Sequence, residues 1–394
     1  MQNMKPWLRV TLKVLTYVLV AALASGATLI AVTISQLKNM SKLDQLEMLI
    51  DEYFIGEVDK QQMYDGAAYG MIAGLGDQWS QYIPAAYYAT YVAQMESTYV
   101  GIGVTIKLTE DGSALNVQKV EPDSGAQEAG ILAGDKIIAV EGQKVSKIGI
   151  DEAGNLIRGE AGTSVKLTLL REEKEISLSV KRKLMEMVVA EGQMLEESIG
   201  LVTIYTFHSH CAEQTLAVVD DLLKQGAKAL VFDVRNNPGG YVTELVKVLD
   251  RLLPQGDVFI SENYAGEQSV EKSDAKCLEL PMAVLVNGES YSAAEFFAAV
   301  LEEYDWAFTV GEQTVGKSYF QITIPLNDGS AVALSVGKYK TPKGVVLAEV
   351  GGITPTIVVE IDEETAEKIY TGEMPVQEDP QIQAAVEALK KEIG

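Results

Sequence analysis

At 394 residues the chain is long enough for two or three domains. Its 32 basic against 56 acidic residues leave a net charge of −24, which excludes the concentrated basic surface that nucleic-acid binding needs, and 47 % hydrophobic residues exclude wholesale disorder. Cys211 and Cys277 form neither a disulfide framework nor a CxxC metal pair, and His208 and His210 confine any histidine chemistry to one short stretch.

In chain order the first signal is the uncharged run Val14 to Ile34, 21 residues long, about what crosses a bilayer as a helix. Lys5, Arg9 and Lys13 precede it and hold that end in the cytoplasm. A cleaved signal peptide is the rival, because Ala22-Leu23-Ala24 and Ser25-Gly26-Ala27 supply small residues, yet the apolar run continues past both. The expectation is a cytoplasmic segment 1–13, an uncleaved single-pass signal anchor 14–34 in the cell membrane, and everything beyond on the extracytoplasmic side. Residues 35–96 mix polar and apolar positions in a helical pattern. They read as an arm for docking or dimerisation, with no chemistry of their own, which leaves a homo-oligomer open.

Residues 97–183 alternate as a small β-rich module: Val104, Ile106 and Leu108, then Val165, Leu167 and Leu169, then Ile176, Leu178 and Val180. Short helical patterns interrupt them at 124–129 and 150–158. Gly101, Ile102, Gly103 and Val104 place glycines just before a strand, where backbone N–H groups can converge on an anion. The following strand edge can accept an added peptide strand. With SGAQEAGILAGDKIIAVEG after it, the module resembles a bacterial PDZ domain. That resemblance implies a peptide groove, with Gly101 to Val104 taking a terminal carboxylate.

From residue 184 strands and helices alternate: 199–207 then a helix near 212–225, 229–234 then a helix near 241–252, and 282–287 then a helix from about Ser292. This favours a layered α/β core over 184–370. A tail, 371–394, carries a helical pattern from Pro380 to Ile393. Three segments of the core can carry chemistry. In DVRNNPGG (233–240) a strand runs into a loop with free N–H groups. In NGESYSAAE (287–295) a serine opens a helix, and in GKSYFQ (316–321) a lysine sits in a turn before a strand. Singly these are a turn, a helix cap and a solvated lysine.

Together, and in this order, they resemble the carboxy-terminal processing (tail-specific) serine proteases, whose PDZ domain is inserted ahead of an α/β protease core. The resemblance spans about residues 50–392. It implies Ser292 as nucleophile, Lys317 as general base 25 positions on, and Gln321 as the residue that orients the lysine. It also implies an oxyanion hole from Gly239 or Gly240 and the N–H of Ala293. Tyr291, Ala294 and Ser318 depart from the family pattern around these residues. The implied fold is an α/β protease core with an inserted PDZ domain, an N-terminal transmembrane helix and a helical arm.

Burial in a dry pocket disfavours the charged form of a lysine, so Lys317 can act as a base, with Val315, Tyr319 and Phe320 as apolar neighbours. Ser290 is a rival nucleophile. A Ser-His-Asp triad through His208 or His210 is a further alternative, although the GxSxG elbow is absent. A zinc site at His208, His210 and Cys211 lacks a fourth ligand. The expected activity is therefore an endopeptidase without cofactor or metal, acting on protein or peptide substrates with a free C-terminus. The alternative is a membrane-anchored PDZ scaffold beside a silent core. Lying between arm and core, the PDZ module is expected to cover or distort the Ser292–Lys317 pair at rest, with Arg158 as a lever.

Overall fold

The computed structural model describes residues 6–393. They divide after Met71 into two units, each compact in itself.

The first unit is helical. Its long helix Pro6–Asn39 contains the stretch Val10–Thr28, of mean hydropathy 1.7 and with none of it buried within the structure. Ser41 then opens the helix Lys42–Tyr53 through a reciprocal capping box with Asp44. The helix from Lys60 is tied to it by ion pairs of Lys60 with Glu47 (3.0 Å) and Asp51 (2.6 Å). No residue of Lys42–Tyr53 is buried.

The second unit holds three sheets and a two-stranded ribbon. Residues 104–181 form an antiparallel sheet in the order Val104–Leu108, Leu115–Val120, Lys136–Val140, Ser164–Arg171, Lys174–Lys181. Its core is drawn entirely from the continuous stretch Ile102 to Val180 and includes Val145, Ala153 and Ile157 of the helix Val145–Ile157. The ribbon Thr98–Gly101 with Lys183–Glu186 joins the module to the rest.

The central sheet runs Ala190–Met194, Ile199–Ile204, Ala229–Asp233, Met282–Val286, Ala307–Gly311, Ile357–Val358. All but the first pairing are parallel. Parallel strands covered on both faces read as unbroken apolar runs, and all five residues of Met282–Val286 are buried. One face carries the helices Cys211–Lys224, Val242–Leu252 and Ala293–Glu303 over Val202, Leu230, Phe232 and Val284. The opposite face, with Leu201, Val231 and Leu285, is covered by Ile382, Ala385 and Leu389 of the helix Pro380–Ile393. The segment set apart as a tail thus supplies one of the layers.

That helix is also locked by charge. Arg235, directly after the strand Ala229–Asp233, is buried and bonds Asp233 (Nη2 to Oδ2, 2.6 Å) and Asp379 (Nη2 to Oδ2, 2.8 Å). Its Nη1 donates to Gln381 Oε1 at 2.8 Å, and Asp379 Oδ1 accepts the amide of Gln381. A third sheet stands beside the helix layer: Gln81–Ile83, Ala331–Lys340, Gly256–Asn263, Gln268–Ser273, with Tyr319–Pro325 also on Ala331–Lys340. The pairing of Gln81–Ile83 with Ala331–Ala333 draws part of the expected arm into the core.

Candidate active site

Three turns at the C-terminal ends of the parallel strands converge. The loop after Ala229–Asp233 and the turn after Met282–Val286 are stitched together by side-chain amides. Asn236 N donates to Asn287 Oδ1 (2.9 Å), Asn287 Nδ2 to Asn236 Oδ1 (2.9 Å), and buried Asn237 donates from Nδ2 to Ile204 O (2.7 Å). Ser290 belongs to this scaffold. Its buried Oγ donates to Val234 O (2.8 Å) and accepts from Asn287 N (3.0 Å), so its hydroxyl faces the loop root.

Two residues on, Ser292 has φ 58 and ψ −124 immediately ahead of the helix Ala293–Glu303, and its side chain makes no capping bond. A non-glycine residue at positive φ is strained and persists only where its surroundings hold it. Buried Phe297, packed edge-on to Phe232 (5.4 Å between centroids), fixes the helix that holds it. Gly239 packs against this serine so closely that a Cβ there would lie 2.8 Å from both Ser292 Cβ and Ala293 N. Its own amide is engaged by Asn237 Oδ1 at 2.8 Å. Among the described residues the amides of Gly240 and Ala293 donate to no protein acceptor, and both residues line the cavity beside Ser292.

Lys317 is nine-tenths buried in the turn after Ala307–Gly311. Glu295, one helical turn beyond Ser292 and fully buried, holds that turn: its carboxylate accepts Gly316 N (2.7 Å), Lys317 N (2.9 Å) and the Thr314 hydroxyl. Burial raises the Glu295 carboxyl above its usual range. Tyr339 donates its hydroxyl to Lys317 O at 2.7 Å. Burial pulls the Lys317 ammonium down to about 8. Its Nζ stands over the Trp79 ring, 4.7 Å from the centroid, and 5.8 Å from that of Tyr291. Among the described residues it has no hydrogen bond to Ser292. Gln321 lines the same cavity, but its Nε2 donates to Ser335 Oγ (3.0 Å) and Tyr319 O (3.2 Å), with no bond to Lys317.

The cavity measures about 920 Å³. Phe259, Phe296, Phe320 and Tyr339 line it from the core, and Trp79, Tyr88, Tyr91 and Met95 line it from residues 78–96. No residue of 97–183 lines it, so in this structure the PDZ module does not cover the Ser292–Lys317 pair; Arg158 donates from Nη2 to Asn155 Oδ1 (2.8 Å) and from its backbone N–H to Gly154 O (3.0 Å). Residues 78–96 belong to the arm from which no chemistry was expected. A hydrophobic helix carrying Tyr88 and Tyr91 was the available signal there. Nothing in the local pattern tells which element such a helix will face.

The histidines go elsewhere. His208 Nδ1 pairs with Gln94 O at 3.0 Å, burial lowers its pKa, and it also lines the cavity. His210 caps the helix Cys211–Lys224 with φ 69, beside Glu213 at 3.9 Å. The Cys211 thiol is buried against Thr215 and pushed up to about 12. The three side chains face different partners, and among the described residues no three His, Cys, Asp or Glu side chains gather as metal ligands.

In the PDZ module, Val104–Leu108 is an edge strand, with a partner on one side only. Ile102 O accepts Ala126 N (2.8 Å) and Gly103 O accepts Glu121 N (3.0 Å). Among the described residues the amides of Ile102 and Gly103 donate to no protein acceptor. Gly103 has φ +76, and a Cβ there would lie 2.2 Å from Ser124 Cβ.

A strained serine at a helix N-terminus, beside a buried lysine and next to a PDZ module, is the layout of a PDZ-bearing serine hydrolase. Residues 198–359 match peptidase family S41, residues 117–171 a PDZ domain, and residues 23–86 the N-terminal domain of the activating protease CtpB. The carboxy-terminal processing protease CtpA of Bacillus subtilis is 33 % identical over 82 % of this chain and 70 % of its own. The carboxy-terminal-processing protease of Bartonella bacilliformis is 30 % identical over 82 % of this chain and 75 % of its own. Among solved structures, the photosystem II D1 C-terminal processing protease aligns at 26 % identity and TM-score 0.46, over 82 % of this chain and 87 % of that one. The chain belongs to the carboxy-terminal processing proteases of peptidase family S41, and is a serine-type peptidase with a PDZ domain.

Proposed function

We propose that this peptidase is a membrane-anchored endopeptidase that uses a Ser292–Lys317 dyad to cut proteins at or near their C-termini. In this reading its PDZ loop Gly101–Val104 holds the substrate's terminal carboxylate. The observation that carries the dyad is a lysine whose burial lowers it to about 8, in the same cavity as a serine held in a strained backbone turn.

Neutral Lys317 takes the proton from Ser292 Oγ as that oxygen attacks the scissile carbonyl. The developing oxyanion is met by the amides of Gly240 and Ala293, the latter at a helix N-terminus where partial positive charge gathers. Gly239 serves instead as the close-packing residue that lets the loop reach the serine. Collapse of the intermediate expels the C-terminal fragment as an amine, which takes the proton back from Lys317, and water releases the acyl group. Lys317 must first rotate from the face of Trp79 to reach Ser292. Gln321, now on Ser335, is placed to hold it after that rotation. Since the neutral amine is the active form, activity rises with pH through about 8.

The stretch Val10–Thr28 supports an anchor, and Lys5 and Arg9 ahead of it support a peptidase domain outside the cytoplasm. Exposed Leu43, Leu46 and Leu49 support self-association through the arm. Retention in alkali-washed membranes and the mass of the detergent-solubilised chain check these two points.

The decisive experiment compares wild type with Ser292→Ala on a denatured model protein. Cleavage should fall at least about 1,000-fold. The fold should hold, because Ser292 makes no capping bond that the substitution would remove. A variant that still cuts would move the nucleophile elsewhere. A wild type that binds peptide and never cuts would instead establish the silent scaffold.

A further inference from the structure

We propose that Trp79 is a positioning residue for the base: its indole closes over Lys317 Nζ at rest, keeps water off the amine and so sets its readiness to lose a proton before it turns to Ser292. The proposal rests on Lys317 being the base.

The geometry is that of a bolted cover. Trp79 N donates to Asp77 Oδ1 (3.1 Å), and Ser80 Oγ donates to Asp77 Oδ2 (2.6 Å), which closes residues 77–80 into a tight turn. Ser335 N, on the strand Ala331–Lys340, donates to Ser80 Oγ at 3.0 Å, and the next residues, Gln81–Ile83, pair with that same strand. The other side of Ser335 receives Gln321 Nε2. One residue therefore anchors both the Trp79 turn and the glutamine assigned to orient the lysine. A shift of the turn would be felt by Gln321 through Ser335.

The ring acts on the amine in two opposed ways. Its π face, 4.7 Å away, attracts the ammonium form, while its bulk denies the ammonium its water. Other groups face the lysine from each neighbouring element. Asp77 on the turn favours the charged form. Tyr291 presents a ring from the nucleophile turn, Glu295 holds the lysine's backbone N–H from the helix, and Tyr339 holds its carbonyl from the strand. Glu96 and His208 line the same cavity. Asp77 and the ring face both stabilise the cation, yet the amine is held below the ordinary lysine value. Burial of the site as a whole is therefore the stronger influence, and since the ring is the cover placed directly over Nζ, its removal is expected to make the lysine harder to deprotonate.

The test is the rate at which a fluorophosphonate labels Ser292, measured against pH, for wild type, Trp79→Ala, Trp79→Phe and Lys317→Ala. The probe reports nucleophile activation without needing the PDZ module. In Trp79→Ala the midpoint of the rising limb should move up by about one pH unit, which is roughly tenfold in rate at pH 7, with recovery near pH 10. Recovery at high pH also shows that the variant is folded. Trp79→Phe should keep most of the wild-type profile. A uniform loss at every pH, an unchanged midpoint or a downward shift would each overturn the proposal. Labelling of Lys317→Ala at the wild-type rate would instead overturn the dyad, whatever Trp79→Ala does.

Discussion

The PDZ module and the catalytic cleft are built on opposite plans. The module's apolar core, Ile102 through Val180, closes within one continuous stretch, and most of its strands pair with the strand next in sequence. The cleft draws Trp79, His208, Gly240, Ser292, Lys317 and Tyr339 from six separate places in the chain. A module closed on itself can be read, and can fold, from local pattern. A cleft of this kind exists only when several long-range pairings hold at once, so its geometry is exposed to changes far from the serine.

The largest effect should come from Arg235→Ala, which leaves the carboxylates of Asp233 and Asp379 buried without their cation. Removing one partner of a buried ion pair costs about 3–5 kcal/mol. The urea midpoint of the α/β core should fall accordingly, while the PDZ module keeps its own transition. Loss of both together would break the contrast between the two regions.

The reciprocal change is Leu169→Ala, at a fully buried PDZ position, expected to cost about 2–5 kcal/mol. Amides of Ser164–Arg171 should lose protection from hydrogen exchange, and those of Met282–Val286 should keep theirs. Equal loss in both would show that the module is not self-contained.

Smallest is the effect of substrate termini. A free-acid peptide should be cut about tenfold faster than its amide, the difference expected for one charge-assisted hydrogen bond. Gly103→Trp, which has no room beside Ser124, should erase that preference. Equal rates for acid and amide on the wild type would remove the carboxylate from PDZ recognition.

Much of the architecture was legible because burial on both faces writes parallel strands as apolar runs. The expected strands at 199–207, 229–234 and 282–287 stand as Ile199–Ile204, Ala229–Asp233 and Met282–Val286, and the helix expected near 212–225 as Cys211–Lys224. The motifs also placed Ser292, Lys317, Gln321, Gly240 and Ala293 around one cavity. The third sheet was not legible. Tyr319–Pro325 is largely exposed, and its partner Ala331–Lys340 is held by pairings that reach back to Gln81. Glu295 passes for a surface acid in a helix, and only the folded chain shows it fully buried on the Lys317 turn. Trp79 gives no local sign at all, since its partner lies at the far end of the core.

Arg235 also bears on when the cleft takes shape. It leaves the ribosome 146 residues ahead of Gln381, to which it must bond. At about 5–20 residues per second that gap lasts roughly 7–30 s. Throughout it the root of the Gly239–Gly240 loop lacks Asp379 and Gln381, and one face of the central sheet lacks its covering helix. The serine, the glycines and the lysine are all made within that gap, before the helix that backs their sheet. The geometry of the glycine loop thus waits on a helix made after every residue of the cleft.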